Sequence, residues 1–452
     1  VKAIAPLFND FDNFGHLAFP GGAFTNGTLE RWGTRVDMMD RNALCELRAV
    51  SGSECDELLA TWTGVKPVDA DTDGTMLRQA IAAHRGNVHV YEAASGYQFR
   101  DDPWGEGGVV NAGFLGSPAG HLPAIEASGV AMFIRAGWQD AATVNGTLGR
   151  YMTIGNPQQV YIGPWDHGAR RDADPFHADD TPVYPTTDEQ FAQMFEFFDR
   201  YLKAGGEPIE SSITYYTLGA DRWTTTTAWP PEGFEGETWY LSGDGSLTTD
   251  APTGDDGADD YVVDQDVTTG RHNRWFTNNG GGGDVVYGDR RAMDERLLTY
   301  TSAPFGEDRE ITGHSVITLF ARSTHTDGLF IAYLEDVAPD GRVTYITEGQ
   351  LRGIMRQISD QPPLYRKPGP HHSQRRADAL PLVPGEVAEI SFELWATSVL
   401  LRKGHRLRIA IAGADADTFA RYPLDGGTPT ITIERNARYP SRVVLPMSPA
   451  GR

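Results

Sequence analysis

The chain has 452 residues, with 39 Lys+Arg against 62 Asp+Glu, a formal net charge of −23 and a pI of about 4.9. So long a chain exceeds one ordinary core, which stops growing at roughly 250 to 300 residues, and its 40% hydrophobic content can fill two. The acidity repels phosphate backbones and anionic lipid, so neither nucleic acid nor a membrane surface is an expected partner.

No stretch approaches the roughly 18 consecutive apolar residues needed to span a bilayer, and a soluble chain is expected. The opening Val1-Lys2-Ala3-Ile4-Ala5-Pro6 is no signal peptide. It begins on an apolar, strand-like run without an initiator Met, so a longer polypeptide that starts upstream is expected. From about 27 to 123 the sequence offers polar, helix-prone stretches, 28–47, 54–61 and 75–84, without a strong buried strand, and reads as an inserted helical cap. Cys45 and Cys55 lie there. They are too few for a disulfide scaffold or a zinc cluster; a bridge and two reduced thiols both fit, and secretion stays open.

Val130 to Ile134 and Val160 to Ile162 are short continuous apolar runs, the pattern of strands buried on both faces of a parallel sheet. A helix is expected over 188–204: Phe191, Met194, Phe195, Phe198, Tyr201 and Leu202 recur at helical spacing, Thr187 and Gln190 have capping-box separation, and Gly205-Gly206 stops it. After Gly206 the pattern changes to short alternating segments at 213–218, 238–241, 316–320, 330–334, 343–346, 388–394, 407–411 and 431–433. These argue for an all-β sandwich. The acidic run 255–260 and the glycines 280–283 read as loops.

Two segments carry candidate chemistry. Gly137-Trp138-Gln139-Asp140 follows one buried run, and Gly163-Pro164-Trp165-Asp166-His167 follows the next. Loops at the carboxyl ends of strands line the ligand crevice of open α/β sheets, so an acid and then an imidazole reach one edge. A carboxylate fixes the tautomer of a catalytic imidazole and stabilises its protonated form, and acid-then-histidine is the chain order of α/β-hydrolases. Asp166 competes for this role, but adjacent side chains diverge, which favours Asp140. No Gly-x-Ser-x-Gly nucleophile turn occurs: Ser53, Ser117 and Ser246 each lack the glycine two residues before. The nucleophile is therefore expected upstream of residue 1. His371, His372 and the group Asp172, Asp174, His177, Asp179 and Asp180 read as solvated loop residues, and no metal or cofactor is expected.

These segments, with Pro20-Gly21-Gly22-Ala23, Gly349-Gln350-Leu351-Arg352, 372–378 and 404–409, resemble the cocaine esterase family, which includes α-amino-acid ester hydrolases and Xaa-Pro dipeptidyl-peptidases. The resemblance implies the C-terminal part of an α/β-hydrolase domain with its helical cap (1–206) and a following jelly-roll β-sandwich (207–452). It makes Asp140 the triad acid and His167 the triad base. By position in relatives, Arg274-Trp275-Phe276-Thr277 would help close an acyl pocket, with Trp275 and Phe276 as substrate contacts. The function so implied is a serine hydrolase acting on a small-molecule ester, amide or short peptide through an acyl-enzyme, with this chain inactive alone. The alternative is a non-catalytic binding protein whose jelly roll takes a carbohydrate or peptide on a degenerate hydrolase scaffold. Oligomeric state and compartment cannot be read from the residues.

Overall fold

The computed structural model describes residues 1–61, 68–104, 109–110, 116–203, 206–276 and 284–449. Thr277, Gly205 and the glycine tract 280–283 lie outside these. A five-stranded sheet carries Ala3–Ile4, Ala131–Gly137, Gln158–Gly163, Ser212–Thr217 and Arg222–Thr226, in that spatial order. The first four run parallel and the last is antiparallel. Ala131–Gly137 is buried throughout, as its continuous apolar run requires.

The helix over Thr187–Leu202 packs Met194, Phe197, Phe198 and Tyr201 against Ala131 and Phe133. Burying a side chain such as Phe197 contributes about 1.5 to 3 kcal/mol. Phe191, Phe195 and Leu202 occupy the adjoining row and stay exposed, so the packed face is narrower than their spacing implies. The cap also lies one residue earlier than expected. Thr186 accepts from the Glu189 backbone N–H, and the Glu189 carboxylate accepts from the Thr186 N–H at 2.8 Å. Glutamate is the stronger acceptor, while the Gln190 amide is spent on the carbonyls of Ala169 and Pro185.

Helices fill the stretch expected to be helical, at Asn26–Asp40, Leu44–Leu47, Gly52–Thr61, Thr75–His84 and Val90–Ser95. Cys45 and Cys55 form a disulfide between two of them. No helix of the described residues is long and apolar enough to cross a membrane.

Pro103–Trp104 and Val109–Val110 pair with each other, and the remaining strands form a thirteen-stranded, largely antiparallel sheet system. Two expectations are corrected here. The segment 213–218 is expected in the β-region, yet Ser212–Thr217 pairs in parallel with Gln158–Gly163 and leads into Arg222–Thr226. Alternation marks a strand without marking the sheet it joins. The acidic run is also only partly loop: Ala258–Val262 pairs with Thr430–Glu434, with Asp259 held by Arg435 and Tyr300 and Asp260 by Thr432. The two sheets touch at Leu218, whose N–H donates to the Ser398 carbonyl at 2.8 Å, and one continuous apolar core runs beneath both.

Candidate active site

Two close approaches bring the strand-end loops together. A side-chain carbon on Gly137 would lie 2.2 Å from the Trp165 carbonyl oxygen, and one on Gly163 would enter the Trp165 ring. Glycine at both positions lets the Trp138 N–H reach the Gly163 carbonyl (3.0 Å) and the Gln139 N–H the Trp165 carbonyl (3.1 Å). Trp138 anchors the first loop through its indole N–H on the Tyr216 carbonyl at 2.7 Å.

The result sets Asp140 beside His167. The imidazole Nδ1 lies 3.1 and 3.2 Å from the two carboxylate oxygens. Asp140 is fully buried, and the Thr143 hydroxyl stands 2.9 Å from its Oδ2. The His167 side chain is 28% exposed, and among the described residues its Nε2 has no hydrogen-bond partner. Phe8 packs edge-on against the ring at 5.8 Å. Beyond it opens a cleft of about 950 Å³, lined by Leu7, Phe8, Asp166, His167, Phe191 and Met194.

Three carboxylates shape the electrostatics. Burial alone would lower the His167 pKa, but the hydrogen bond and charge of Asp140, with Asp10 and Asp166 behind it, raise it above the ordinary imidazole value. Burial, reinforced by the Asp140 charge, pushes both Asp10 and Asp166 up to about 7. Asp10 had no sequence signal: it lies in no motif, and only the approach of the Leu7–Asp12 segment to the strand-end loops makes it a neighbour.

Arg274 reaches the Asp140 loop from far along the chain. Arg274 is fully buried; its Nε donates to the Ala141 carbonyl (2.7 Å) and its Nη2 to the Trp138 carbonyl (3.0 Å), while its own carbonyl accepts the Ala141 N–H (2.8 Å). Ala141 has φ of +43°, a left-handed conformation costly for alanine, and these bonds hold it. Trp275 is fully buried with its indole N–H on Glu348, and Phe276 is 2% exposed. Neither borders the His167 cleft; Trp275 packs edge-on against Trp395 and Phe419 instead.

The solvated reading of Asp172, Asp174 and His177 is also corrected. Asp172 and Asp221 bond the two ring nitrogens of His177 at 3.0 and 2.8 Å, and buried Asp174 accepts the N–H groups of Phe176 and Gly219. Asp174, His177 and Asp221 present ligand atoms within 4.8 Å of one another, a spacing able to hold a cation. Their hydrogen bonds already engage each of them. Asp179 and Asp180 are exposed, as expected. His372 is not solvated, since its ring nitrogens face the carbonyls of Gln357 and Ser391.

A parallel sheet with an acid and a histidine at consecutive strand ends is the arrangement of an α/β-hydrolase. The X-Pro dipeptidyl-peptidase (S15 family) profile matches residues 1–169, and that of the X-Pro dipeptidyl-peptidase C-terminal non-catalytic domain matches residues 208–444. A Mycobacterium bovis protein named as a serine esterase is 40% identical over 474 aligned residues, which cover 99% of this chain and 72% of that protein. The cocaine esterase of a Rhodococcus species is 24% identical over 99% of this chain and 76% of its own length. Among solved structures, an aminopeptidase from a Thaumarchaeota archaeon superposes with a TM-score of 0.69 at 22% identity, over 98% of this chain and 72% of that one. The chain belongs to the cocaine esterase and Xaa-Pro dipeptidyl-peptidase-like family of α/β-hydrolases, a family of serine hydrolases.

Proposed function

We propose that this chain supplies the general base and its orienting acid to a serine hydrolase that cleaves an ester or amide of a small molecule or short peptide through an acyl-enzyme. The observation that carries the proposal is His167 Nδ1 held by buried Asp140, with Nε2 unpartnered among the described residues beside an open cleft. In that pose His167 takes the proton of a serine hydroxyl as the serine oxygen attacks the carbonyl carbon, then gives it to the leaving alkoxide or amine. Water repeats the sequence to release the acid. Asp140 keeps the Nδ1–H tautomer and stabilises the imidazolium.

The nucleophile and the oxyanion donors belong, in this proposal, to sequence upstream of residue 1. The 26–95 helices act as a cap and the β-rich region as a jelly roll, and together they shape the acyl pocket. The family's named esterases and peptidases support the substrate class. The test is to express the longer polypeptide and assay p-nitrophenyl esters and aminoacyl amides. Turnover is expected, and His167→Ala is expected to lower kcat by roughly 10⁴ to 10⁶. Full activity in that variant would overturn the assignment; a longer polypeptide with no activity would leave the binding-protein reading.

A further inference from the structure

Arg274 belongs to the β-rich part of the chain, yet its fully buried side chain ends on the loop that carries Asp140. Its Nη2 donates to the Trp138 carbonyl at 3.0 Å and its Nε to the Ala141 carbonyl at 2.7 Å, one on each side of Gln139-Asp140. Its own carbonyl accepts the Ala141 N–H at 2.8 Å. A guanidinium is a rigid planar fork, so two of its donors hold the carbonyls of 138 and 141 in a fixed relation and leave the backbone between them little freedom. The other side of the residue is anchored in turn. Nη1 donates to Thr347 Oγ1 at 3.1 Å, and the Arg274 N–H donates to the Tyr287 hydroxyl at 2.9 Å. Tyr287 stacks on Tyr345 with ring centres 3.9 Å apart, and the Thr347 hydroxyl donates to the Trp395 carbonyl. The strand Val343–Arg352 also meets the loop directly, where Gln139 Nε2 donates to the Ile346 carbonyl at 3.3 Å.

The pair at His167 depends on where that loop holds Asp140. The carboxylate lies 3.1 and 3.2 Å from His167 Nδ1 and 2.9 Å from the Thr143 hydroxyl, so a shift of the Asp140 backbone lengthens these bonds together. The next residue is under strain: Ala141, with φ of +43°, keeps a conformation that alanine leaves unless its surroundings hold it. Both its N–H and its carbonyl are held by Arg274. Releasing them lets Ala141 relax and turns the residue before it.

We propose that Arg274 is a positioning residue for the hydrolytic reaction: from the β-rich part of the chain it holds the Asp140 carboxylate in register with the His167 ring. The inference rests on the serine-hydrolase reading given above. Arg274 does not border the His167 cleft, so its effect passes through Asp140 and not through contact with substrate.

The test compares variants of the longer polypeptide below their melting temperatures. Arg274→Met is expected to lower kcat about 10²-fold, the effect of a small misplacement of a reacting group, with KM kept within about twofold. The midpoint of the His167 ring titration, followed by proton NMR, is expected to fall, because Asp140 retreats while the charges of Asp10 and Asp166 still act on the ring. Removing a cation without moving the loop would raise that midpoint, so the sign of the shift separates positioning from charge. Leu407→Ala truncates a buried side chain of the strand Arg406–Ala412 and is expected to cost stability while keeping kcat. Should Arg274→Met not fold, Arg274→Lys, which keeps the charge without the fork, is expected to lose about tenfold in kcat with the same fall in the midpoint. Unchanged kcat in the folded Arg274 variant, a midpoint that stays or rises, or an equal loss of kcat in Leu407→Ala would each overturn the inference and leave the serine-hydrolase reading standing. A longer polypeptide without turnover would overturn both.

Discussion

His167 and His177 stand ten residues apart, each among several aspartates, yet they are prepared for opposite tasks. His177 is bonded at both ring nitrogens, by Asp172 and Asp221, with Asp174 close behind. It ties the loop after one strand to the turn at Gly219–Asp221. Among the described residues His167 is bonded at Nδ1 alone, and its ring lines a cleft. A carboxylate beside an imidazole is therefore no sign of catalysis by itself. What separates a base from a clamp is a second nitrogen left open, together with space for the group whose proton it takes.

The largest effect expected from breaking this contrast is on turnover. In the longer polypeptide, His167→Ala should cost roughly 10⁴ to 10⁶ in kcat, whereas His177→Ala should leave kcat within about threefold. The clamp's cost should appear as stability instead. Burial opposes protonation of His177, but the charge of Asp174 and the bonds to Asp221 and Asp172 raise its pKa. A pKa raised by folding gives stability that is complete below the unfolded value and lost as pH climbs through the folded one. The penalty for His177→Ala, about 1 kcal/mol for so partly exposed a group, should be larger in urea titrations at pH 5.5 than at pH 9.

Asp140→Asn sharpens the comparison from the acid's side. Loss of the carboxylate should lower kcat by about 10⁴. It should also move the acid limb of the pH profile downward, because the carboxylate is what holds the His167 pKa above its ordinary value. An unchanged limb would mean that Asp140 does not act on the imidazole. Arg274→Met asks whether the loop needs its brace. Without the guanidinium the carbonyls of Trp138 and Ala141 lose their buried donor, so unfolding in urea should reveal a loss of about 2 to 4 kcal/mol.

The smallest effect concerns Asp166. Burial, and next the Asp140 charge, raise it to about 7, so its ionised form opposes folding as pH rises from the unfolded carboxyl range through 7. Asp166→Asn should stabilise the protein by about 1 to 2 kcal/mol at pH 8.5 and by nearly nothing at pH 4. Paired thermal melts at the two pH values measure this difference.

Much of this arrangement was legible in the residues. The runs at 130–134 and 160–162 gave buried parallel strands, because continuous apolarity leaves no wet face. Acid and histidine just past their ends gave the pair Asp140 and His167. All eight β-segments expected after Gly206 are strands. Others escaped notice for a common reason. Ser246–Thr248, Leu298–Ser302 and Thr397–Leu401 are short or rich in Ser and Thr, and they gain their order from partners far along the chain. The placing of Ser212–Thr217 in the first sheet depends likewise on a neighbour some fifty residues earlier.

The sequence by itself determined the succession of an α/β part and a β-rich part through periodicity, the order of acid before base through strand-end chemistry, and the family through the resemblance of its motifs. Only the tertiary structure decided which histidine keeps a nitrogen open among the described residues, that Asp10 shares the site, and that Arg274 braces the Asp140 loop. Each of those is a statement about side chains distant in the chain and adjacent in space. Burial and hydrogen bonding act on that adjacency, which linear spacing does not encode.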